Sequence, residues 1–415
     1  MTTTVVGNPR NLQGSAGLAR RRLWPGNEMP LLACILGLLT FGLVMVMSAS
    51  AVASMEKGQG AFGIFLRQAV FATFGVVLMV FLSRTPYQKT RKLAPAFVLV
   101  TTALLVLVLI PGVGSRAGGA SRWLGIGSVG IQPSEFAKLA LVLYCSAALT
   151  REPRFPELPR DYLVPTLPVV VGLGALVMAQ PDLGTAIALG LAYFSVLWAA
   201  GLPLATFGFL GTSAGAVALA LALSADYRKE RLFSFMNPWA DPGDTGYHAV
   251  QSMIAIGSGG LTGVGLGAGR QKWLFLPNAH TDFVFAVIGE ELGLIGCAAV
   301  LLLFFAFALF GLRTAARAPD RYGRLVAAGI TGWLVLQAFV NIGVTTGRLP
   351  VTGIPLPFLS SGGSALLAAL AAAGILLNIA RQGDASARAM RRSKRRSRSE
   401  CGASPGMPLA GRLSE

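Results

Sequence analysis

Charge is what this chain has least of. Asp, Glu, Lys and Arg make up only 13% of its residues against 53% hydrophobic, and its mean hydropathy is +0.63. That composition excludes a soluble globule and describes a polytopic membrane protein. Cysteine is sparse too. Cys34, Cys145, Cys297 and Cys401 stand far apart, three in apolar runs and one in the tail, so neither a metal-binding spacing nor a disulfide framework is present, and redox chemistry is disfavoured. A nucleotide site is also missing: the glycines of GSGGLTGVGLGAG form neither a P-loop nor GxGxxG in a strand-turn-helix setting. No repeat of fixed period is apparent.

Glycine, by contrast, is abundant, with 51 residues, as suits membrane helices whose backbones approach closely. The net charge of +17 invites nucleic acid as a partner. The basic residues are instead spread over loops and tail, as an orientation signal would be. Residues 1–28 form a polar arm with Arg10, Arg20, Arg21 and Arg22 before the first apolar run, which places the N-terminus in the cytoplasm. The run from Met29 to Met47 ends in SASAVAS but is too long for a signal-peptide core and reads as an uncleaved span. Further spans are expected near Phe65–Leu82, Leu93–Ile110, Phe136–Ala148, Tyr162–Met178, Leu183–Ala200, Ala205–Ser224, Phe283–Phe310, a ninth ending near Thr346, and Ala365–Ile379.

The expected fold is therefore all-α, with about ten transmembrane helices in residues 29–380, both termini cytoplasmic, and a large extracytoplasmic loop, 225–282, between spans seven and eight. That loop is far too long for a bare connection, and a short apolar piece near Tyr247–Ile256 is expected along the membrane surface. Residues 381–415 read as a basic, disordered cytoplasmic tail attracted to anionic lipid.

The segment QKWLFLPNAHTDFVFAVIGEE, 271–291, crowds Lys272, His280, Asp282, Glu290 and Glu291 against an apolar run. Ionisable groups are costly in or near lipid and mark functional sites. Asp is also a favoured helix N-cap, so Asp282 has two readings, cap or reactive carboxylate. Asp182, before the sixth span, reads first as a cap. Glu135 and Lys138 lie at i and i+3 on the first turn of the fourth span, where they pair on one face, with Arg122, Trp123 and Gln132 at the same boundary. A surface ion pair is the plainer alternative. Arg348 and Ser360 fall in a Pro- and Gly-rich external loop, a backbone tolerated at membrane depth only where it is buried or lines a cavity.

The alternation puts all of these groups on the outer face, away from cytoplasmic nucleotides, so chemistry there needs a pre-activated substrate. A lipid-linked pyrophosphate sugar meets that need, and external Arg and Lys suit its phosphates. A membrane-edge carboxylate suits an acceptor hydroxyl.

The blocks RWLGIGSVGIQPSEFAK, QPDLGTA, FMNPWADPGDTGYHAVQSMIAIGSGGLTGVGLGAG, LPNAHTDFVFAVIGEELGLIG and GRLPVTGIPLPFLSSGGS resemble, in order, the signatures of the SEDS family (shape, elongation, division and sporulation). FMNPWADP and AHTDF are closer to its division branch than to its elongation branch. The resemblance implies an inverting peptidoglycan glycosyltransferase that polymerises lipid II at the outer face of the bacterial cytoplasmic membrane, at the division septum. It implies as partner a class B penicillin-binding transpeptidase, FtsI-like, among other divisome proteins. It carries the essential acidic residue onto Asp282, as general base or as ligand of a divalent cation, Mg or Mn. Glu135, Lys138 and Arg122 become supporting residues. Beside them the residues themselves offer Asp182, Lys272, His280, Arg348 and Ser360 as further candidates for substrate contact or support. His248 stands where the family usually has Gln, Asn278 where an acidic residue often occurs, and Ser361 where Tyr is more familiar. The rival functions are a lipid II flippase, which calls for polar groups crossing the spans, and a non-catalytic division scaffold, which needs no carboxylate.

Overall fold

A computed structural model describes residues 26–117, 120–126, 129–151, 158–224, 226–244, 246–273 and 275–402. Most of the expected N-terminal arm lies outside them. The long apolar runs form helices α1 (Glu28–Glu56), α2 (Gly63–Arg84), α3 (Gln88–Leu109), α4 (Pro133–Leu149), a short α5 (Pro159–Leu163), α6 (Leu167–Ala179), α7 (Leu183–Ala200) and α8 (Leu204–Leu223). After α9 (Asp226–Met236) and α10 (Tyr247–Gly259) come α11 (Val284–Arg317), α12 (Arg321–Thr345) and α13 (Gly363–Gly402).

Eight of these, α1, α2, α3, α7, α8, α11, α12 and α13, are long and apolar enough to cross a membrane. The other two expected spans are the 17-residue α4 and the 13-residue α6. Length does not decide where α4 sits. It packs against α3, α7, α12 and α13 and buries Glu135 and Lys138 with its apolar residues. The opposite case is α8, none of whose residues is buried; it touches the bundle through Phe207, which meets Phe194 and Trp198 of α7 edge-on, and its remaining apolar surface suits lipid.

Three features depart from the sequence expectation. The segment after α3 is a small antiparallel meander, β1 (Ser115–Ala117), β2 (Ala120–Ile126) and β3 (Val129–Ile131), with Leu124 opposite Ile131. Second, α10 packs on α11 and α12, burying Val250, Ser252 and Ala255 against protein. Third, α13 does not end near Ile379. It runs 40 residues through the basic stretch expected to be disordered, because between Asp384 and Cys401 no Gly or Pro interrupts a segment rich in Ala, Arg and Lys.

Helix α11 is broken at Gly293, whose φ of 63° and ψ of −160° are non-helical. The break frees backbone groups on either side, and residues 260–265 satisfy them. Val264 and Gly265 donate to the carbonyls of Glu290 and Glu291, while Leu294 and Ile295 donate to those of Gly260 and Leu261. Irregular backbone in a membrane protein survives where freed groups find protein partners, as these four do.

Candidate functional site

Asp282 ends the loop before α11, but it is not that helix's cap. Phe283 holds the N-cap position, and no side chain caps the helix. The turn is built by Asn278, which takes a left-handed φ of 56°; its carbonyl accepts from the amides of Thr281, Asp282 and Phe283. Asn, with a short polar side chain, is among the few residues that adopt this conformation at low cost. The Asp282 carboxylate stands beside the strap 351–362: a Cβ added at Gly353 would lie 3.7 Å from its Oδ2. Gly353 has a φ of +70°, so the strap passes the carboxylate with no side chain between them.

Two uncharged residues of α12 link the backbone of Asp282 and the strap to the Glu135–Lys138 pair. Asn341 Nδ2 donates to the carbonyls of Asp282 and Ile354, each at 2.8 Å. One turn away, Gln337 Nε2 donates to Pro355 O at 2.8 Å. Gln337 Oε1 accepts from Lys138 Nζ at 3.2 Å and from Trp333 Nε1 at 2.8 Å. Lys138 in turn meets Glu135 at 2.8 Å, with side chains 1% and 4% exposed. The pair is buried, so the surface-pair alternative does not hold.

A second cluster fixes the edge. Asp182 caps α7, accepting from Thr185 N at 3.0 Å and Thr185 Oγ1 at 2.9 Å. It also faces Gln132 Nε2 at 3.3 Å and Arg122 Nη1 at 3.8 Å. Arg122 reaches on to the carbonyls of Gln180 and Pro181. The cap reading and a polar cluster are thus both present at Asp182.

The remaining candidates divide. Arg348 is exposed where α12 ends. Ser360 is buried and closes the strap's own turn, its Oγ accepting from Leu356 N at 2.8 Å. Gln68 of α2 binds the same turn through Ser360 O and Gly362 N. His280 ties loop to strap by accepting Ser361 N at 2.9 Å, and burial, with Lys57 nearby, pushes its imidazole down to about 4. Lys272 is committed elsewhere. Its ammonium donates to Glu291 Oε1 at 2.9 Å, Ser48 Oγ at 3.1 Å and Gly267 O at 2.7 Å. Those are all three of its donors, so Lys272 braces the break in α11 and has none left for substrate.

Gln337, Asn341, Gln68, Ser48 and Ser364, which accepts Gln132 N at 2.9 Å, were not singled out from the sequence. Their signal was there: Gln337 and Asn341 are spaced i and i+4 in an otherwise apolar span, which puts two amides on one helix face. As for a cation, no group of three or more His, Cys, Asp or Glu side chains able to hold a metal forms among the described residues. Asn278, where an acidic ligand would help, offers an amide. These residues do not by themselves build a cation site.

Apolar helices around a buried polar network, with a carboxylate at one end of the bundle, define a multi-pass membrane protein with a site at its edge. The family model described as "Cell cycle protein", covering FtsW, RodA and SpoVE, matches residues 29–385, and the chain belongs to that family. Stage V sporulation protein E of Bacillus subtilis is 44% identical over 354 residues, 85% of this chain and 97% of that one. The probable peptidoglycan glycosyltransferase FtsW of Geobacter metallireducens is 41% identical over 353 residues, 85% of this chain and 94% of its own. Among solved structures, one of a peptidoglycan synthase complex, concerned with coordinating polymerization and crosslinking, aligns with a TM-score of 0.69 at 31% identity. It covers 85% of this chain and 96% of that chain. The rod shape determining protein RodA of Thermus thermophilus aligns at 0.63 and 30% identity, covering 85% and 95%.

Proposed function

We propose that the protein is the peptidoglycan glycosyltransferase of cell division, polymerising lipid II at the outer face of the cytoplasmic membrane with Asp282 as general base. The observation that carries this is the Asp282 carboxylate: left out of helix capping, it stands at the bundle's edge against a strap with no side chain in the way. Family membership and the relatives named FtsW support the activity and the division role. The 4-hydroxyl of the acceptor GlcNAc attacks the anomeric carbon of the donor MurNAc. The new C1–O4 bond forms as the bond from C1 to the phosphate oxygen breaks; undecaprenyl pyrophosphate leaves with the electron pair, and configuration inverts. The acceptor proton passes to Asp282, which must lie within hydrogen-bond reach of that hydroxyl. Exposed Arg348 and the half-buried Arg122 suit the diphosphate. A ten-span topology with cytoplasmic termini, septal placement and a class B penicillin-binding transpeptidase as partner complete the proposal.

The test is polymerisation of purified lipid II by the full chain in proteoliposomes with its cognate transpeptidase, wild type against Asp282→Asn, each with and without a chelator. Glycan from wild type and at least a hundredfold less from the variant is expected, given the usual size of a general-base contribution. Lipid II translocation without glycan from a folded complex would turn the assignment to a flippase. Loss with chelator would show a cation requirement.

A further inference from the structure

Asn341 is buried, with 1% of its surface exposed, and it contributes no group to the reacting atoms. Its Nδ2 nevertheless lies 2.8 Å from two carbonyl oxygens, one on the residue that bears the carboxylate and one on the strap facing it. An atom held between two carbonyls at that distance has to be the donor, so chemistry fixes the orientation of the amide, and both of its hydrogens are used. Its Oδ1 finds no partner among the described residues. An acceptor left unsatisfied in the interior is destabilising, so the residue is a poor choice if packing alone mattered.

We infer that Asn341 is a positioning residue for the transfer: it sets the separation between Asp282 and the strap, and so the place from which the carboxylate meets the acceptor hydroxyl. The inference rests on Asp282 being the base. Two successive strap residues are held in this way, next to the one that faces the carboxylate. Gly353 abuts the carboxylate, Ile354 is tied by Asn341, and Pro355 is tied by Gln337, which also takes the Lys138 ammonium. Asn341 and Gln337 sit one turn apart on one rigid helix, so strap and loop share one reference, and neither can shift without breaking a buried hydrogen bond. Misplacing a catalytic group by about 1 Å costs on the order of 100-fold in rate.

The test uses the full chain with its cognate transpeptidase in proteoliposomes, lipid II as substrate, and Asp282→Asn, Asn341→Leu and wild type in parallel. Asn341→Leu keeps the branching at Cγ and removes both donors. It is expected to lower kcat at least tenfold with KM for lipid II within twofold, and to displace the acid limb of the rate–pH profile. Amide exchange should quicken at 281–284 and 353–356 while the middle of α12 stays protected. Wild-type rates from Asp282→Asn would remove the base and the premise together. An inactive Asp282→Asn beside an Asn341→Leu that polymerises within twofold of wild type, or loses activity through KM alone, would overturn the positioning role while leaving the base in place. Should Asn341→Leu not fold, Asn341→Ser, whose hydroxyl can serve one carbonyl and not both, is judged by the same two criteria.

Discussion

His280 shows how an individual group takes its character from its surroundings. Its imidazole is held down at about 4 by burial and by Lys57, so it is neutral at physiological pH and serves the loop by its backbone and its bulk. An unfolded imidazole takes its proton near 6.5. Between about 6.5 and 4 the unfolded chain therefore binds a proton that the folded loop refuses, and stability falls as pH falls through that window. The thermal midpoint of the purified protein should drop between pH 7 and pH 5, and the drop should shrink in His280→Gln; equal drops would remove His280 as the cause. At this scale the sequence was most legible where charge was involved, since an ionisable group beside lipid is conspicuous. Asp282, Glu135 and Lys138 stood out for that reason. Asn341 and Gln337 did not, because an amide in an apolar span carries no charge, and its meaning lies in which carbonyls it meets. Lys272 was visible as a charge near the site, but not which groups it supports, since its partners Ser48 and Glu291 belong to α1 and α11.

Helix α11 depends on one backbone conformation that a side chain cannot share. The φ and ψ of Gly293 are accessible in practice only to glycine, and forcing another residue there costs roughly 1–3 kcal/mol. A Cβ at 293 would also collide with the backbone of Leu261 and Gly263. Gly293→Ala should therefore lower the thermal midpoint well below that of wild type. Gly211→Ala in α8, where a Cβ meets nothing within 4 Å, should leave it level or slightly raised. Equal midpoints for the two variants would show the break to be dispensable. Nine of the ten expected spans are single helices, α7 to the residue, since hydrophobic length is a strong local signal; the fifth, Tyr162–Met178, is divided between α5 and α6. The meander and the break were not legible in this way. The strands are three to seven residues long, too short to establish a period, and the break depends on hydrogen bonds from a loop some 30 residues earlier.

Across the whole molecule the first helix is fastened to the last. Asp384 of α13 accepts from the amides of Asn27 at 2.7 Å and Glu28 at 3.3 Å, capping α1 from a different helix, while Arg317 of α11 donates to Asn27 Oδ1 at 3.0 Å. Losing a cap costs about 0.5–2 kcal/mol. Asp384→Ala should thus speed proteolysis near residue 27 and lower the thermal midpoint by a few degrees; unchanged cleavage would show that the tie does not hold the N-terminal entry. No local sequence signal could have paired positions more than 350 apart.

At about 1.5 Å per residue, the 40 residues of α13 reach about 60 Å, twice the roughly 30 Å of a bilayer's hydrocarbon core. Its first turn adjoins the strap at Ser360–Gly362, and its last turns carry the basic stretch. The basic stretch and the strap thus stand at the two ends of one continuous helix, tens of ångströms apart.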